Sequence, residues 1–311
     1  MSVPAFTDIA KSSNDLLNKD FYHLNAAALE VKSNTPNNVA FKVTGKSTHD
    51  NATSGLFLCA VGGQVHRQAN CSCGFLVIRQ PDCAQLLIQY THGTGLTLTQ
   101  TWNTLNALDT KIEINDTIAK GLKAEILGSF APTTQKKGAK VNLHFKQPNF
   151  HGRAFFDLLK GPTATVDAVI GQDGFLAGAT AGYDVQKAAI TSYSAAVGYT
   201  APAYSAAIIA ADNLSVFSAS YYHKVNSQVE AGAKATWDSK NTNSVGLEFA
   251  SKYRLDPLSF AKVKINDRGV AAVGYNVVLR PGATLGLGAS FDTQKLDQAT
   301  HKIGTSFTFE S

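Results

Sequence analysis

Hydrophobic and polar residues alternate with a period of two along most of this chain. The last eleven residues show the alternation most clearly. One face carries Ile303, Thr305, Phe307 and Phe309, and the other carries Lys302, Gly304, Ser306, Thr308 and Glu310. Successive side chains of a strand point to opposite sides, so this segment is predicted to be a strand with one apolar and one polar face. Repeated segments of about ten residues with this alternation, separated by turns, are the sequence pattern of a membrane β-barrel.

Eighteen such strands are predicted along the chain. They begin near residues 24, 38, 95, 110, 121, 139, 150, 164, 175, 189, 203, 214, 226, 243, 258, 269, 283 and 301. At least one more is expected within 55–93, where the alternation fails. Turn residues such as Asp173-Gly174 and Pro281-Gly282 separate the strands, which predicts an antiparallel meander. Closing this meander removes unpaired strand edges, which lipid would not tolerate.

Residues 4–19 carry a helical period instead. The less polar side is formed by Phe6, Ile9, Ala10, Ser13, Leu16 and Leu17, at the i, i+3, i+4, i+7 spacing. Thr7 is the expected N-cap, ahead of Asp8. The segment is too short to cross a bilayer, so it is predicted to be an amphipathic helix docked on a surface.

Composition agrees with a wall that faces lipid. Charged residues make up only 16% of the chain, against the roughly one quarter that is usual for soluble proteins. The net charge of +5 is compatible with nucleic acid, an acidic membrane or an anionic solute as a partner, so the positions of the charges must decide. The N-terminus lacks the basic start and apolar core of a cleavable signal peptide.

No catalytic constellation and no cofactor site are predicted. The eight histidines are dispersed among turns and polar faces. The G-x-G at 286–288 lies inside a predicted strand and opens no helix, so it is not a dinucleotide-binding loop. These glycines are expected to ease strand curvature.

Four segments carry motifs that together are specific. They are P-A-F-x-D-I-A-K-S-x-N-D-L-L-N-K-D-F-Y-H at 4–23, G-L-T-L-T-Q-T-W-N-T at 95–104, G-L-K at 121–123 and the run from Tyr253 to Tyr275. They resemble the mitochondrial porins, the voltage-dependent anion channels of the outer membrane, and most closely the fungal members. The resemblance covers 1–55 and 94–311 and departs at Val263, where the family usually has a small residue.

The resemblance implies an all-β transmembrane fold. It is a closed barrel of nineteen strands, with the first and last strands parallel and the N-terminal helix inside the pore. Residues 1–23 would form the pore helix and its linker, and residues 24–311 the barrel. The apolar side of the helix, with Phe6, Ile9, Leu16 and Leu17, is expected to face the inner wall. The closing strand matches the signal read by barrel-assembly machinery at Lys302, Gly304, Phe307 and Phe309.

The polar faces of the predicted strands carry a surplus of basic side chains. The basic ones are Lys42, Lys46, Lys111, Lys123, Lys140, Lys146, Arg153, Lys234, Lys252, Lys262, Lys264 and Lys302, and the acidic ones include Glu30, Glu113, Glu125, Asp157, Glu230, Glu248 and Glu310. In a wide aqueous pore, such a lining raises the local anion concentration without tight binding.

The function implied is a voltage-gated, weakly anion-selective channel that passes phosphate, ATP, ADP and small metabolites across the mitochondrial outer membrane. The residues expected to set selectivity and gating are Lys11, Asp15 and Lys19 on the helix and Lys42, Lys46, Lys123, Lys234 and Lys262 on the wall. Further expected partners are membrane lipid, sterol and a possible second copy, but not nucleic acid. The alternatives are the protein-import barrel of the same membrane, a translocase, and a soluble β-rich binding protein.

Residues 56–93 do not follow the alternation. They hold all four cysteines, at 59, 71, 73 and 83, and several apolar runs. A zinc site using His66, Cys71, Cys73 and Cys83 is one interpretation, although the spacing is a poor match to paired C-x2-C motifs. A second is that three strands, at 55–61, 75–79 and 86–92, replace one and make a 21-strand barrel. The resemblance favours a third, an unspliced intron or gene-model error read in frame, because the chain is longer than typical fungal porins by about the excess length of this segment.

The third interpretation predicts that transcript reads spanning Gly55 to Gly95 skip most of this segment. Reads that retain all of it in mature messenger RNA would contradict the prediction.

Overall fold

The computed structural model describes residues 3–35, 39–47, 84–92, 96–103, 107–116, 119–132, 135–159, 161–240, 245–294 and 301–310. The N-terminal segment contains a 3₁₀ turn at Phe6–Asp8, the helix α1 at Lys11–Asn18 and a second 3₁₀ turn at Tyr22–Leu24. Within the described ranges, no helix is both long enough and apolar enough to cross a bilayer.

Nineteen strands follow the N-terminal segment. They are β1 (Ala27–Thr35), β2 (Val39–Ser47), β3 (Ala84–His92), β4 (Leu96–Asn103), β5 (Leu108–Asn115), β6 (Leu122–Ala131), β7 (Lys136–Lys146), β8 (Phe150–Asp157), β9 (Thr163–Gln172), β10 (Phe175–Asp184), β11 (Ala189–Thr200), β12 (Tyr204–Ala211), β13 (Val216–Lys224), β14 (Val229–Asp238), β15 (Val245–Asp256), β16 (Ser259–Asn266), β17 (Val270–Arg280), β18 (Ala283–Asp292) and β19 (Lys302–Glu310). The predicted strand starts lie within three residues of these.

All nineteen strands join one closed sheet. Each strand pairs antiparallel with the next, and β1 also pairs with β19. That last pair is parallel, with Ala27 opposite Thr305 and Lys32 opposite Glu310. The parallel pairing follows from the odd number of strands, because the first and the last of nineteen alternating strands point the same way. The predicted barrel and its parallel closure are confirmed.

The third strand lies inside the anomalous segment, as expected. β3 pairs on one side with β2, where Val39 is opposite Tyr90, and on the other side with β4, where Leu87 is opposite Thr101. A strand has only two edges, so no further strand can lie between β2 and β4. The 21-strand interpretation is therefore wrong. The proposed zinc ligands all lie outside the described residues, and so does most of the proposed insertion.

The N-terminal helix is shorter than predicted. Thr7 lies inside the 3₁₀ turn, α1 begins after Ala10, and neither element has a side-chain N-cap hydrogen bond. The expectation that Thr7 caps the helix is wrong. The 3₁₀ turn contacts β9 and β10, whereas α1 contacts β13, β14 and β15. Since these two pieces pack on different parts of a curved wall, the chain bends between them.

The linker from α1 to β1 crosses the inner wall on a row of glycines: Gly274, Gly286, Gly288 and Gly304. A Cβ added at Gly288 would lie 2.6 Å from the backbone nitrogen of His23, and one at Gly304 would overlap the carbonyl oxygen of Tyr22. The linker backbone can lie this close to the wall only because no side chains project there. The glycines at 286 and 288 thus make room for the linker, a role that their sequence context does not indicate.

Substitution of Gly288 by Ala is expected to lower barrel stability by about 1–3 kcal/mol, because the added methyl group overlaps backbone atoms that cannot swing aside. Thermal unfolding of the refolded protein in detergent, followed by circular dichroism, measures the change. Gly246→Ala is the matched control, since its Cβ would meet only the carbonyl oxygen of Thr236, at 3.7 Å. Equal midpoints for the two variants would contradict the role assigned to Gly288.

Candidate pore and its lining

The outer surface of the barrel is largely apolar over the residues that the structure describes. Outward-facing side chains such as Ile170 and Ile303 are 62% and 67% exposed, and many other large hydrophobic side chains share this exposure. A continuous exposed apolar surface of this size is unfavourable in water and favourable in lipid. The outer wall therefore has the character of a membrane-spanning surface.

Aromatic side chains gather at both edges of this apolar band. At one rim the rings of Phe175 and Tyr199 are 4.7 Å apart and those of Tyr199 and Tyr204 are 5.8 Å apart. At the other rim Phe217 stacks on Trp237 at 5.6 Å. Aromatic girdles at the two membrane–water interfaces are typical of transmembrane barrels.

The N-terminal segment lies inside the barrel. Ile9 packs in one buried cluster with Val169 and Leu176 of the inner wall, and Leu16 and Leu17 pack in a second cluster with Ala250. Glycines among the inward residues make room for these side chains. A Cβ at Gly198 would lie 2.9 Å from Ile9, and one at Gly232 would lie 2.8 Å from Leu16. The expected orientation of the apolar helix side is confirmed, with Phe6 partly buried against the first cluster.

The charged side chains of α1 face the open lumen. Lys19 Nζ lies 2.8 Å from Asp15 Oδ2, and Lys11 Nζ lies 3.9 Å from Asp8 Oδ1. The hydrogen bond that Lys19 donates to the Asp15 carboxylate raises the pKa of Lys19 above its usual value. The structure thus brings Asp15 and Lys19 together as an exposed ion pair, whose charges largely cancel at a distance.

Two of the predicted wall lysines are held in ion pairs with glutamates of the wall. Lys42 Nζ lies 3.0 Å from Glu30, which also pairs with Lys32 at 3.1 Å. Lys123 Nζ lies 2.8 Å from Glu125 and 3.4 Å from Glu113. Lys111 bridges the same two glutamates. These lysines are therefore compensated locally.

Lys46 and Lys234 differ from them, because neither has an ion pair in the part of the chain that the structure describes. Lys46 is exposed on β2 and Lys234 is half-buried on β14. Lys252 on β15 lies 4.1 Å from the ring centroid of Phe260. The uncompensated positive charge of the lumen therefore sits at a few separate points.

Lys262 occupies a different environment. It is 2% exposed and lies under the C-terminal end of α1.

Lys302 and Gly304 of the proposed assembly signal face the lumen side of β19, while Phe307 and Phe309 are on the outer face, 38% and 37% exposed. The alternation seen in the sequence is thus present in the folded strand.

Sequence reasoning missed some of the groups that matter for the lumen. The predicted set of acidic residues omits Asp167, although it has polar-face parity on β9 and forms a bidentate pair with Arg153, with N–O distances of 2.8 to 3.1 Å. The residues predicted to shape the lumen also omit Tyr22, whose Oη accepts a hydrogen bond from Asn276 Nδ2 at 2.5 Å. Burial raises the pKa of the Tyr22 phenol above its usual value. Strand parity could have found Asp167, but no local signal marks Tyr22.

No group of three or more His, Cys, Asp or Glu residues suited to holding a metal ion occurs among the residues that the structure describes. The cysteine-rich segment lies outside these residues.

A closed barrel with an apolar exterior, aromatic rims and a charged interior defines a β-barrel membrane pore protein. A family model described as eukaryotic porin matches residues 2–304. The chain belongs to the eukaryotic porin family.

Three relatives illustrate the family membership. The chain is 70% identical over 311 residues to the Neurospora crassa "Mitochondrial outer membrane protein porin", with 100% of both chains covered. It is 47% identical to the Candida albicans protein of the same name, with 99% of each covered. It is 36% identical to the Saccharomyces cerevisiae "Non-selective voltage-gated ion channel 1", with 100% of each covered. The predicted resemblance to fungal mitochondrial porins is confirmed, and the chain is a barrel of the mitochondrial outer membrane.

Neutralising two of the lysines that have no ion pair in the described part of the chain, in the double variant Lys46→Gln/Lys234→Gln, is expected to lower the ratio of anion to cation permeability. The change should be at most about two-fold at 0.1 M salt, since screening over about 10 Å confines each charge to its surroundings. The reversal potential across a KCl gradient measures the ratio.

The matched control is Lys264→Gln/Glu248→Gln, which removes an ion pair of 3.3 Å from the same wall and leaves the net charge unchanged. An equal shift in both double variants would contradict the assignment.

Proposed function

We propose that this protein is a voltage-gated, weakly anion-selective channel that passes phosphate, ATP, ADP and small metabolites across the mitochondrial outer membrane. The observation that carries the proposal is a closed, lipid-facing barrel whose interior is lined by charged side chains with a basic surplus. The names of the relatives support the channel function and do not favour the import barrel. Membership of a porin family supports transport rather than catalysis.

The ion pairs of the lumen explain why the selectivity should be weak. Most charged wall side chains, including Lys42 and Lys123, have a partner of opposite sign within 4 Å. A pair of opposite charges produces a field that falls off quickly with distance, so the pairs act little on ions passing along the pore axis. Lysines without such a partner among the described residues, such as Lys46 and Lys234, remain to attract anions. Attraction that stays weak also allows fast release, which throughput requires.

The N-terminal segment alone is a poor voltage sensor. Between Val3 and Asn25 it carries the basic Lys11 and Lys19 against the acidic Asp8, Asp15 and Asp20, so two positive and three negative charges leave a net charge of −1. One charge moved through 100 mV changes the energy by about 2.3 kcal/mol. We infer that Asp15 and Lys19 mainly shape the narrow part of the lumen, and that wall charges must supply part of any gating charge.

The exterior and the closing strand suggest the further partners. We infer that the apolar band contacts lipid and sterol, and that it is the surface through which a second copy would associate. We expect the barrel-assembly machinery to read Lys302, Gly304, Phe307 and Phe309. Nucleic acid is not expected to bind, since the basic side chains that set the positive surplus line the lumen.

The proposed intron or gene-model error applies to fewer residues than the whole anomalous segment. β3 at Ala84–His92 is paired along both edges, which supports counting it as a native strand. We therefore propose that the intron read-through or gene-model error is confined to residues before Ala84.

Refolded protein inserted into a planar bilayer is expected to form pores with a weak anion preference that close at both signs of voltage. Single-channel recording in a salt gradient measures both properties. Circular dichroism of the same sample is the control for folding. Correctly folded protein that conducts no ions would overturn the proposed function.

A further inference from the structure

Lys262 on β16 is buried in a place where lysines are normally solvated. It is 2% exposed, whereas Lys264, two residues further along the same face, is 21% exposed. Burial of an ammonium group is costly unless the charge is paired and its hydrogen bonds are satisfied. The groups around Lys262 must therefore account for its position.

The ammonium group has three acceptors, and all of them belong to the N-terminal segment. Lys262 Nζ donates to the carbonyl oxygen of Lys19 at 2.7 Å and to that of Asp15 at 3.2 Å, and it lies 3.4 Å from Asp20 Oδ2. A lysine has three N–H donors, so its hydrogen-bonding capacity is used fully. The ring centroid of Phe21 lies 5.3 Å away and adds a cation–π contact.

The contacted carbonyls lie at the C-terminal end of α1. The helix ends at Asn18, and Lys19 is its C-cap. The last carbonyl oxygens of a helix lack intrahelical partners and carry the negative end of the helix dipole. The Asp15 oxygen already accepts the backbone N–H of Lys19 at 3.1 Å, so the ammonium group adds a second hydrogen bond there. It also bonds the Lys19 oxygen, and its positive charge opposes the negative end of the helix dipole.

The wall is shaped to let this contact form. Gly274 on β17 is directly opposite Lys262 in the ladder, and a Cβ at Gly274 would lie 2.5 Å from the carbonyl oxygen of Asp20. Because Gly274 has no side chain, the linker backbone can pack directly against β17 beside the lysine. On the other side, a cleft of about 310 Å³ lined by Tyr222, Glu230 and Lys252 separates α1 from the wall. The helix end is therefore held at Lys262, next to this cleft.

We propose that Lys262 is a positioning residue that locks the C-terminal end of α1 to β16, and that permeant ions do not meet its charge directly. The inference deepens the proposed channel function, because the position of α1 decides the width of the lumen. The lock itself does not depend on conduction, since it is defined by contacts within the protein.

Hydrogen–deuterium exchange of the α1 amides in refolded protein tests the lock. Lys262→Gln is expected to speed their exchange at least about ten-fold, because a buried charge-assisted contact with the helix end is lost. Lys264→Gln is the matched control on the same strand and face, and should leave α1 exchange unchanged. Lys262→Arg, which keeps the charge, is expected to restore part of the protection. Unchanged α1 exchange in Lys262→Gln, or equal acceleration in both Gln variants, would overturn the proposal.

A variant that removes only one acceptor keeps the proposal testable if Lys262→Gln fails to fold. Asp20 is 37% exposed, so Asp20→Asn is expected to fold and to accelerate α1 exchange by a smaller factor. No acceleration in Asp20→Asn together with a misfolded Lys262→Gln would count against the lock. A change in reversal potential for Lys262→Gln with normal α1 exchange would show that Lys262 acts as a lumen charge instead. A folded protein that shows the exchange effect but does not conduct would leave the lock standing and overturn the channel function.

Discussion

The structure depends on one constraint, which is that every backbone N–H and C=O group within the hydrocarbon must find its partner inside the protein. A sheet satisfies this only when it closes, because an open sheet leaves two unpaired edges in lipid. With nineteen strands in a simple meander, the two edges run in the same direction, and the closing pair of β1 and β19 has to be parallel. The N-terminal segment enters β1 from inside the barrel, where its second 3₁₀ turn contacts β18 and β19.

The inner wall is divided between binding the N-terminal segment and exposing charge. Where Ile9, Leu16 and the linker lie, several inward residues are glycine or alanine, and the two buried clusters against the helix are largely apolar. On the strands outside these contacts, such as β2 and β6, inward lysines and glutamates form ion pairs. The small residues make room for the helix to pack against the wall, and the charged residues keep the rest of the lumen hydrated. Lys262 lies at the boundary between these two areas, which is why a lysine is buried there.

The barrel was predictable because its main features are local in sequence. Period-two alternation sets the face of each residue, so the outward position of Phe307 and the inward position of Lys302 follow from the alternation alone. Residues such as Asp173 and Gly174 adopt positive φ in the observed hairpin turn, as their types indicate. The third strand was the hardest to place, since the alternation around it is interrupted. Only its pairing with β2 and β4 identified Ala84–His92 as the strand.

From the residues alone follow the strands, their two faces, the membrane environment, the basic surplus of the polar faces and the family. The tertiary structure decided which charges form ion pairs and where the helix packs on the inner wall. Lys42 and Lys46 look alike in the sequence, yet one is paired with Glu30 on the neighbouring strand and the other has no ion pair among the described residues. Lys262 and Asp15 are 247 residues apart and meet only because the barrel closes around the helix. Parity assigns a side chain to a face, but the contacts it makes there depend on strand register and on which segment fills the interior, and both are properties of the closed barrel.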